Sequence, residues 1–293
     1  MSNAEAGEVD LQPIIGAQRV LRARISDEEL DSPIRRIFPL WMLQRALRLR
    51  QLTLVSPSLW EDPREDPVAN CAMTRLRDEK AGCDFRQTFL EHYLAPAWAQ
   101  SWSFNPGSDT LLRAYSRVLL DELEGRNTDP RNEGVTVTTT PRRLMRAMSK
   151  WAKDGAKYHF VIARALYGSE AQIHEWVGNV VRGPQGPRFF QSVEGRADSL
   201  LWKRDYFRHE EEVRLICIKR EPTVDEGKLK HFQFDPNETI SGMSFDPRLR
   251  RFEQLEREAV VRGLGYTGPV TEDSAYHRII LDIQMTTEWP DPA

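Results

Sequence analysis

The run Val213-Arg214-Leu215-Ile216-Cys217-Ile218 is the feature that most constrains how this chain folds. It is rich in β-branched and apolar residues, which predicts a strand buried in a sheet. Three glutamates, Glu210, Glu211 and Glu212, stand directly ahead of it. Alternation along a strand would send Glu210, Glu212 and Arg214 to one side, and Glu211, Val213 and Leu215 to the other. Two carboxylates and a guanidinium aligned where a buried strand begins make a polar site. Such a site binds a cationic or hydroxyl-rich ligand or polarises a nucleophile, or else it is a charged strand end in which Glu212 pairs with Arg214.

The bulk properties narrow the setting. The 293 residues suit one large domain or two small ones. A net charge of −3 does not suit a general nucleic-acid binder, which is usually clearly basic, though it leaves room for a local basic patch. No run approaches the roughly 18 apolar residues that span a bilayer, so no membrane partner is expected. The N-terminal MSNAEAGEVDLQP is polar and acidic, unlike a signal peptide. With three cysteines, Cys71, Cys83 and Cys217, this points to reduced thiols and a cytoplasmic protein. The six histidines form neither HxxxH nor HExxH, so no zinc site and no resident metal are expected.

Along the chain, residues 1–31 read as a loose leader with a short basic helix at 20–25, and 285–293 as a tail. Between them, 32–284 read as one domain. Helices are predicted at 39–50, 85–99, 110–124, 141–153, 172–181 and 250–264. Strands are predicted at 34–38, 52–56, 99–104, 134–139, 159–166, 212–219 and 239–245. The helix after Thr140-Pro141 turns Arg142, Arg143, Arg146, Lys150 and Lys153 outward, a solvated basic face. Helices and strands interleave without regular βαβ spacing. The expected fold is therefore α+β, a single domain with a mixed or antiparallel sheet flanked by helices. There is no Gly-rich phosphate loop and no GxSxG elbow.

Four polar islands stand out: Arg35-Arg36 within the apolar run Ile34–Phe38; Trp60-Glu61-Asp62-Pro63 with Glu65; Ser101-Trp102-Ser103 leading to Ser108, Asp109, Arg113 and Tyr115; and Glu210-x-Glu212-x-Arg214. Each alone has an ordinary reading, as a turn, a polar strand face or a surface pair. Their order along the chain, arginine then serine strand then paired glutamates, is what suggests one site.

The runs PIRRIFPLW, LTLVSPSLWEDPRE, SWSFNPGSDTLLRAYS, GVTVTTTPRRL, LLWKRDYFRHEEEVRLI and MSFDPRL resemble the bacterial domain of unknown function family 2971, over roughly residues 33–276. Members usually carry a tryptophan in the helix after the serine strand. Here Leu112 takes that place, which alters the aromatic wall a ligand would stack on. More distantly, the arginine, serine-strand and Glu-x-Glu layout is similar to that of arginine–serine–glutamate ADP-ribosyltransferases. That resemblance implies NAD as ligand, with Arg36 on a phosphate or ribose and Ser101 or Ser103 bracing the nicotinamide half. It implies Glu212 on the ribose 2′-hydroxyl and the cationic transition state, and Glu210 positioning or deprotonating the acceptor.

The resulting expectation is NAD-dependent ADP-ribosyl transfer or NAD hydrolysis, a reaction class found in toxin and anti-phage roles. Glu212 and Glu210 are its candidate catalytic residues; Arg36, Ser101, Ser103, Arg113, Tyr115 and Arg214 are its candidate ligand-binding residues. The partners are a nucleotide-like small molecule and an acceptor macromolecule. One rival is a non-catalytic module in which Arg36, Arg113 and Arg214 hold an anion or a partner. Another is a metal-dependent nuclease using Asp62 with Glu65 or Glu212, although the usual Glu-x-Lys is replaced by Glu212-Val213-Arg214.

Overall fold

The computed structural model describes residues 11–14, 17–75, 86–118, 133–153, 158–220, 227–273 and 276. Strands β1 (Gln12–Ile14), β2 (Ala17–Ala23), β3 (Ile34–Pro39), β4 (Gln51–Val55), β5 (Ala72–Arg75), β6 (Arg86–Phe89) and β7 (Ala97–Ser103) come from the first part of the chain. The rest supplies β8 (Gly134–Thr139), β9 (Tyr158–Arg164), β10 (Leu166–Gly168), β11 (Trp202–Arg204), β12 (Glu212–Lys219), β13 (Leu229–Gln233) and β14 (Gly242–Phe245). The helices are α1 (Leu40–Leu49), α2 (Asp109–Tyr115), α3 (Pro141–Lys153), α4 (Glu170–Arg182), α5 (Val193–Ser199), α6 (Pro236–Thr239) and α7 (Arg251–Gly263). The order along the main sheet is β1-β2-β9-β12-β7-β3-β8-β14, with β4 and β13 joined at β7. Its pairs are antiparallel except β2 on β9, so the sheet is mixed and the fold α+β, as the sequence predicts.

β12 lies between β9 and β7, and its two faces enter two different cores. Val213, Leu215 and Cys217 join Trp98, Trp102 and Val137 under α1 and α3. Ile216 and Ile218 join Ala97, Ala99, Val161 and Ala163 under α5. Alternation makes Arg214 and Glu212 continue the Ile216–Ile218 row. A third cluster, around Trp176, Phe190 and Trp202, seats α4.

The sheet forks beside β7. Along one edge β7 pairs with β12 from Ser103 to Ala97. Along the other it meets β4 only at Val55↔Ala99 and β3 only at Arg35↔Ser103. Helix α1, with Leu40, Leu43 and Leu47 buried, links these two diverging strands. In the gap, Arg36 Nη1 donates to the Ser101 carbonyl at 2.5 Å, replacing a ladder bond with a side chain.

The structure corrects several expectations. Residues 17–23 form β2, parallel to β9, where a short basic helix within a loose leader was expected; Val20 and Leu21 are buried in the cores. Residues 86–99 are β6, a 3₁₀ turn at Leu90–Tyr93 and the start of β7 rather than a helix. Helix α2 ends at Tyr115, short of the expected 124; residues 119–132 lie outside the described ones, as do Cys83 and the tail at 285–293. The late strand starts at Gly242, because Pro236–Thr239 is a short helix capped by Asp235. Helix α5, the β10–β11 pair and the 3₁₀ turn Asp205–Glu210 were not foreseen.

Candidate functional site

Arg36, Ser101, Ser103, Tyr115, Glu210 and Glu212 line one cavity of about 450 Å³. It sits at the fork, with β3, β7 and β8 as its floor. Thr136 and Thr138 of β8 also line it, because alternation sends Val135 and Val137 into the core and the threonines out. Arg35 lies on this face too, opposite Ser103 and Thr138. Arg36 leaves β3 on the other face, with Ile34 and Phe38, and reaches this cavity through the gap. Leu112 is buried in the wall beside Tyr115, which is 55% exposed. Ser108 caps α2 by accepting from the Leu111 amide at 3.2 Å, which orients that wall.

The carboxylate edge is held from behind. Glu210 ends a 3₁₀ turn, and Glu211 adopts the left-handed conformation (φ 43°), so strand alternation is not what brings Glu210 and Glu212 together. Their convergence comes from Lys203, on β11, whose Nζ lies 2.7 Å from Glu210, 2.8 Å from Glu212 and 3.2 Å from Glu65. Arg214, fully buried, donates Nε to Glu212 Oε1 at 2.8 Å and Nη2 to Glu65 Oε2 at 2.8 Å, and Nη1 to the Leu200 carbonyl at 2.6 Å. Its guanidinium also faces the Trp60 ring at 4.9 Å. Lys203, Arg214 and Glu65 do not line the cavity; the cations stand behind the two carboxylates that do.

The electrostatics follow from that arrangement. Burial alone would raise the Glu212 carboxyl, which is only 2% exposed, but the charges and hydrogen bonds of Arg214 and Lys203 outweigh it and hold it at about 2. Burial opposes charge on Lys203, yet the carboxylates of Glu212, Glu65 and Glu210 push its pKa well above the ordinary lysine value. Three carboxylates meet two cations here, so the cluster keeps one net negative charge. Across the cavity stand Arg35 and Arg36, neither of which has an ion pair among the described residues. Burial lowers the Arg36 pKa, against the opposing pull of Tyr115 and Glu212, but a guanidinium remains charged at neutral pH. Its Nε is buried without a hydrogen-bond partner.

Two expected ligand-binding residues are placed elsewhere. Arg113 pairs with Asp109 at 2.6 Å and donates to Tyr276 Oη at 2.9 Å; it does not line the cavity but braces two residues that do. Arg214 serves the buried network. Ser103 Oγ donates to the Glu210 carbonyl at 2.5 Å and accepts from the Asn105 amide at 3.0 Å, tying the serine strand to the glutamate turn. The carboxylates of the metal reading are each held by a cation: Asp62 by Arg204 at 2.6 Å, Glu65 by Lys203 and Arg214. Among the described residues no group of three or more histidine, cysteine, aspartate or glutamate side chains is placed to hold a metal ion, and no helix is long and apolar enough to cross a membrane.

Sequence reading missed Lys203, Thr136 and Thr138, and it singled out Arg35 beside Arg36 without giving it a place in the site. The threonines were legible in the period-two pattern of GVTVTT, whereas Lys203 is turned inward only by the pairing of β11 with β10.

No family model matches the chain, so the resemblance to family 2971 finds no support there, and no curated protein matches it. Solved structures of DarT from Thermus sp. 2.9 are similar to it. The one in complex with ADP-ribosylated ssDNA shares 12% identity at a TM-score of 0.36, covering 87% of this chain and 99% of its own. The complexes with carba-NAD+ and NAD+ share 11% identity at TM-scores of 0.34 and 0.35, covering 85% and 86% of this chain and 98% and 100% of theirs. What the cavity can do follows from its own residues.

Proposed function

We propose that the cavity takes NAD as substrate and breaks the bond between its nicotinamide and ribose, passing ADP-ribose to an acceptor or to water. The observation that carries this reading is the convergence of Arg36, Ser101, Ser103, Tyr115, Glu210 and Glu212 on one cavity with a cationic and an anionic edge. Arg35 and Arg36 suit the diphosphate, and the partnerless Arg36 Nε fits a phosphate oxygen. At the opposite edge Glu212 stays ionised at neutral pH, so it stabilises positive charge as it develops on the ribose.

In the reaction, the glycosidic electron pair leaves with nicotinamide, which becomes neutral. A lone pair of the acceptor forms the new bond to the same ribose carbon, and the acceptor's proton passes to Glu210. Lys203 positions both carboxylates without entering the cavity. An acceptor that is a host macromolecule would make this the chemistry of a toxin or a defence protein.

A second reading, a non-catalytic nucleotide-binding module, is favoured by one observation. Both Glu212 oxygens are already engaged, Oε1 by Arg214 and Oε2 by Lys203. Nicotinamide release by the purified protein, alongside NAD binding by calorimetry, separates the two. Release that is lost in Glu210→Gln and Glu212→Gln variants that still fold and bind NAD is the expected result. Binding without release in the wild type would establish the module, and neither binding nor release would overturn both readings.

A further inference from the structure

Behind the fork, on the face of β3 that carries Ile34 and Phe38, a second cavity of about 230 Å³ opens between α1 and the sheet. Its lining is mostly apolar and includes Trp41, Met42, Leu49, Leu52, Leu229 and Phe234. Trp41 and Met42 are each 45% exposed at its rim, although water-facing positions of a helix are ordinarily polar. Two cations also line it, Arg36 and Arg45, and neither has a carboxylate partner among the described residues. Arg36 spends Nη1 on the Ser101 carbonyl. Its Nε is buried with no protein partner among the described residues.

We infer that this cavity is a second binding site, for a small, largely apolar molecule bearing one anionic group: a short acyl or aryl acid. The apolar walls remove the ligand's hydrocarbon from water, and the two unpaired guanidiniums supply the charge it requires. A neutral hydrocarbon would leave the enclosed Arg36 guanidinium without a counter-charge, and a multiply charged nucleotide would have too little polar lining to satisfy it. Because Arg36 lines both cavities, an anion held here draws on the same guanidinium that faces the first. This inference does not rest on the NAD reading.

The test is calorimetric titration of the full chain with octanoate, and separately with octanol. Octanoate is expected to bind one site, with octanol at least tenfold weaker, as loss of a charge-assisted hydrogen bond implies. Arg45→Glu should weaken octanoate by about tenfold. Ala46→Trp, which fills the groove from the half-buried face of α1, should abolish binding while circular dichroism shows the fold intact. Equal affinity for octanol and octanoate in the wild type would overturn the proposal whatever the variants do. So would octanoate binding that survives Ala46→Trp in a folded protein, or binding seen only to octanoate aggregates or anionic vesicles.

Discussion

Lys203 explains why two glutamates share one edge of the first cavity. Its ammonium meets Glu65, Glu210 and Glu212 in a place where a lone charge would not survive. A buried pair of this kind contributes little relative to a well-packed apolar substitute, yet removing one partner strands the other. Lys203→Met should therefore lower stability by about 3 kcal/mol in urea unfolding, because Glu210 and Glu212 lose a shared counter-charge. The same variant should raise the Glu212 pKa toward the ordinary carboxylate value, which carboxyl NMR titration would register. An unchanged titration would mean that Arg214 alone sets the charge of Glu212. The glutamates themselves were legible in the sequence, since they precede an unmistakable buried strand. Lys203 was not, because nothing in Leu200-Leu201-Trp202-Lys203 reveals that β11 pairs with β10 and turns this lysine inward.

At the scale of elements, what could be read depended on whether local pattern and tertiary packing agree. β3, β7, β8 and β12 alternate or run apolar as their burial requires, and all were found within a few residues. β2 was not: Arg19, Arg22 and Arg24 among apolar residues suit a basic helix, and it is the pairing with β1 and β9 that makes a strand of it. Helix α5 was hidden in the same way. Its sequence, VEGRADS, carries a mid-helix glycine and little apolar stripe, yet all seven residues belong to an element pinned at both ends. Arg196 grips Asp66 through two bonds, at 2.7 and 2.9 Å, and donates Nε to the Ala95 carbonyl. The glycine is required by contact rather than by conformation. A Cβ on Gly195 would lie 2.1 Å from the Phe189 carbonyl oxygen, which is backbone and has little room to yield. Gly195→Ala should thus destabilise by about 2–3 kcal/mol, although alanine is the better helix former by about 1 kcal/mol. A neutral or raised melting temperature for this variant would show that the turn Gly186–Gln191 can move away.

For the whole molecule, the buried ion clusters make stability depend on pH in a direction the carboxylates fix. Asp246 with Arg248, Glu133 with Arg257, and Asp66 with Arg196 each bury a carboxylate against a guanidinium, as the Glu212 cluster does. The Glu212 pKa is depressed in the fold, from 4.5 to about 2, so the folded state releases this proton more readily than the unfolded chain. Its contribution is therefore complete above about pH 4.5 and is lost as the pH falls through the folded value near 2. For this nearly fully buried group the depression corresponds to about 3 kcal/mol. Urea unfolding at pH 7, 5, 4 and 3 should show stability declining through the last two points. In Glu212→Gln the protein should be less stable at pH 7, where Lys203 and Arg214 lose a compensating charge, and its decline toward pH 3 should be shallower by close to one proton's worth. Parallel acid limbs in the two proteins would assign the proton uptake to other carboxylates and leave Glu212 with an ordinary pKa. A carboxyl at its ordinary value of 4.5 would still be ionised at pH 7, so that outcome would weaken the contribution assigned to Lys203 and Arg214 and leave the charge of the cavity edge as it is.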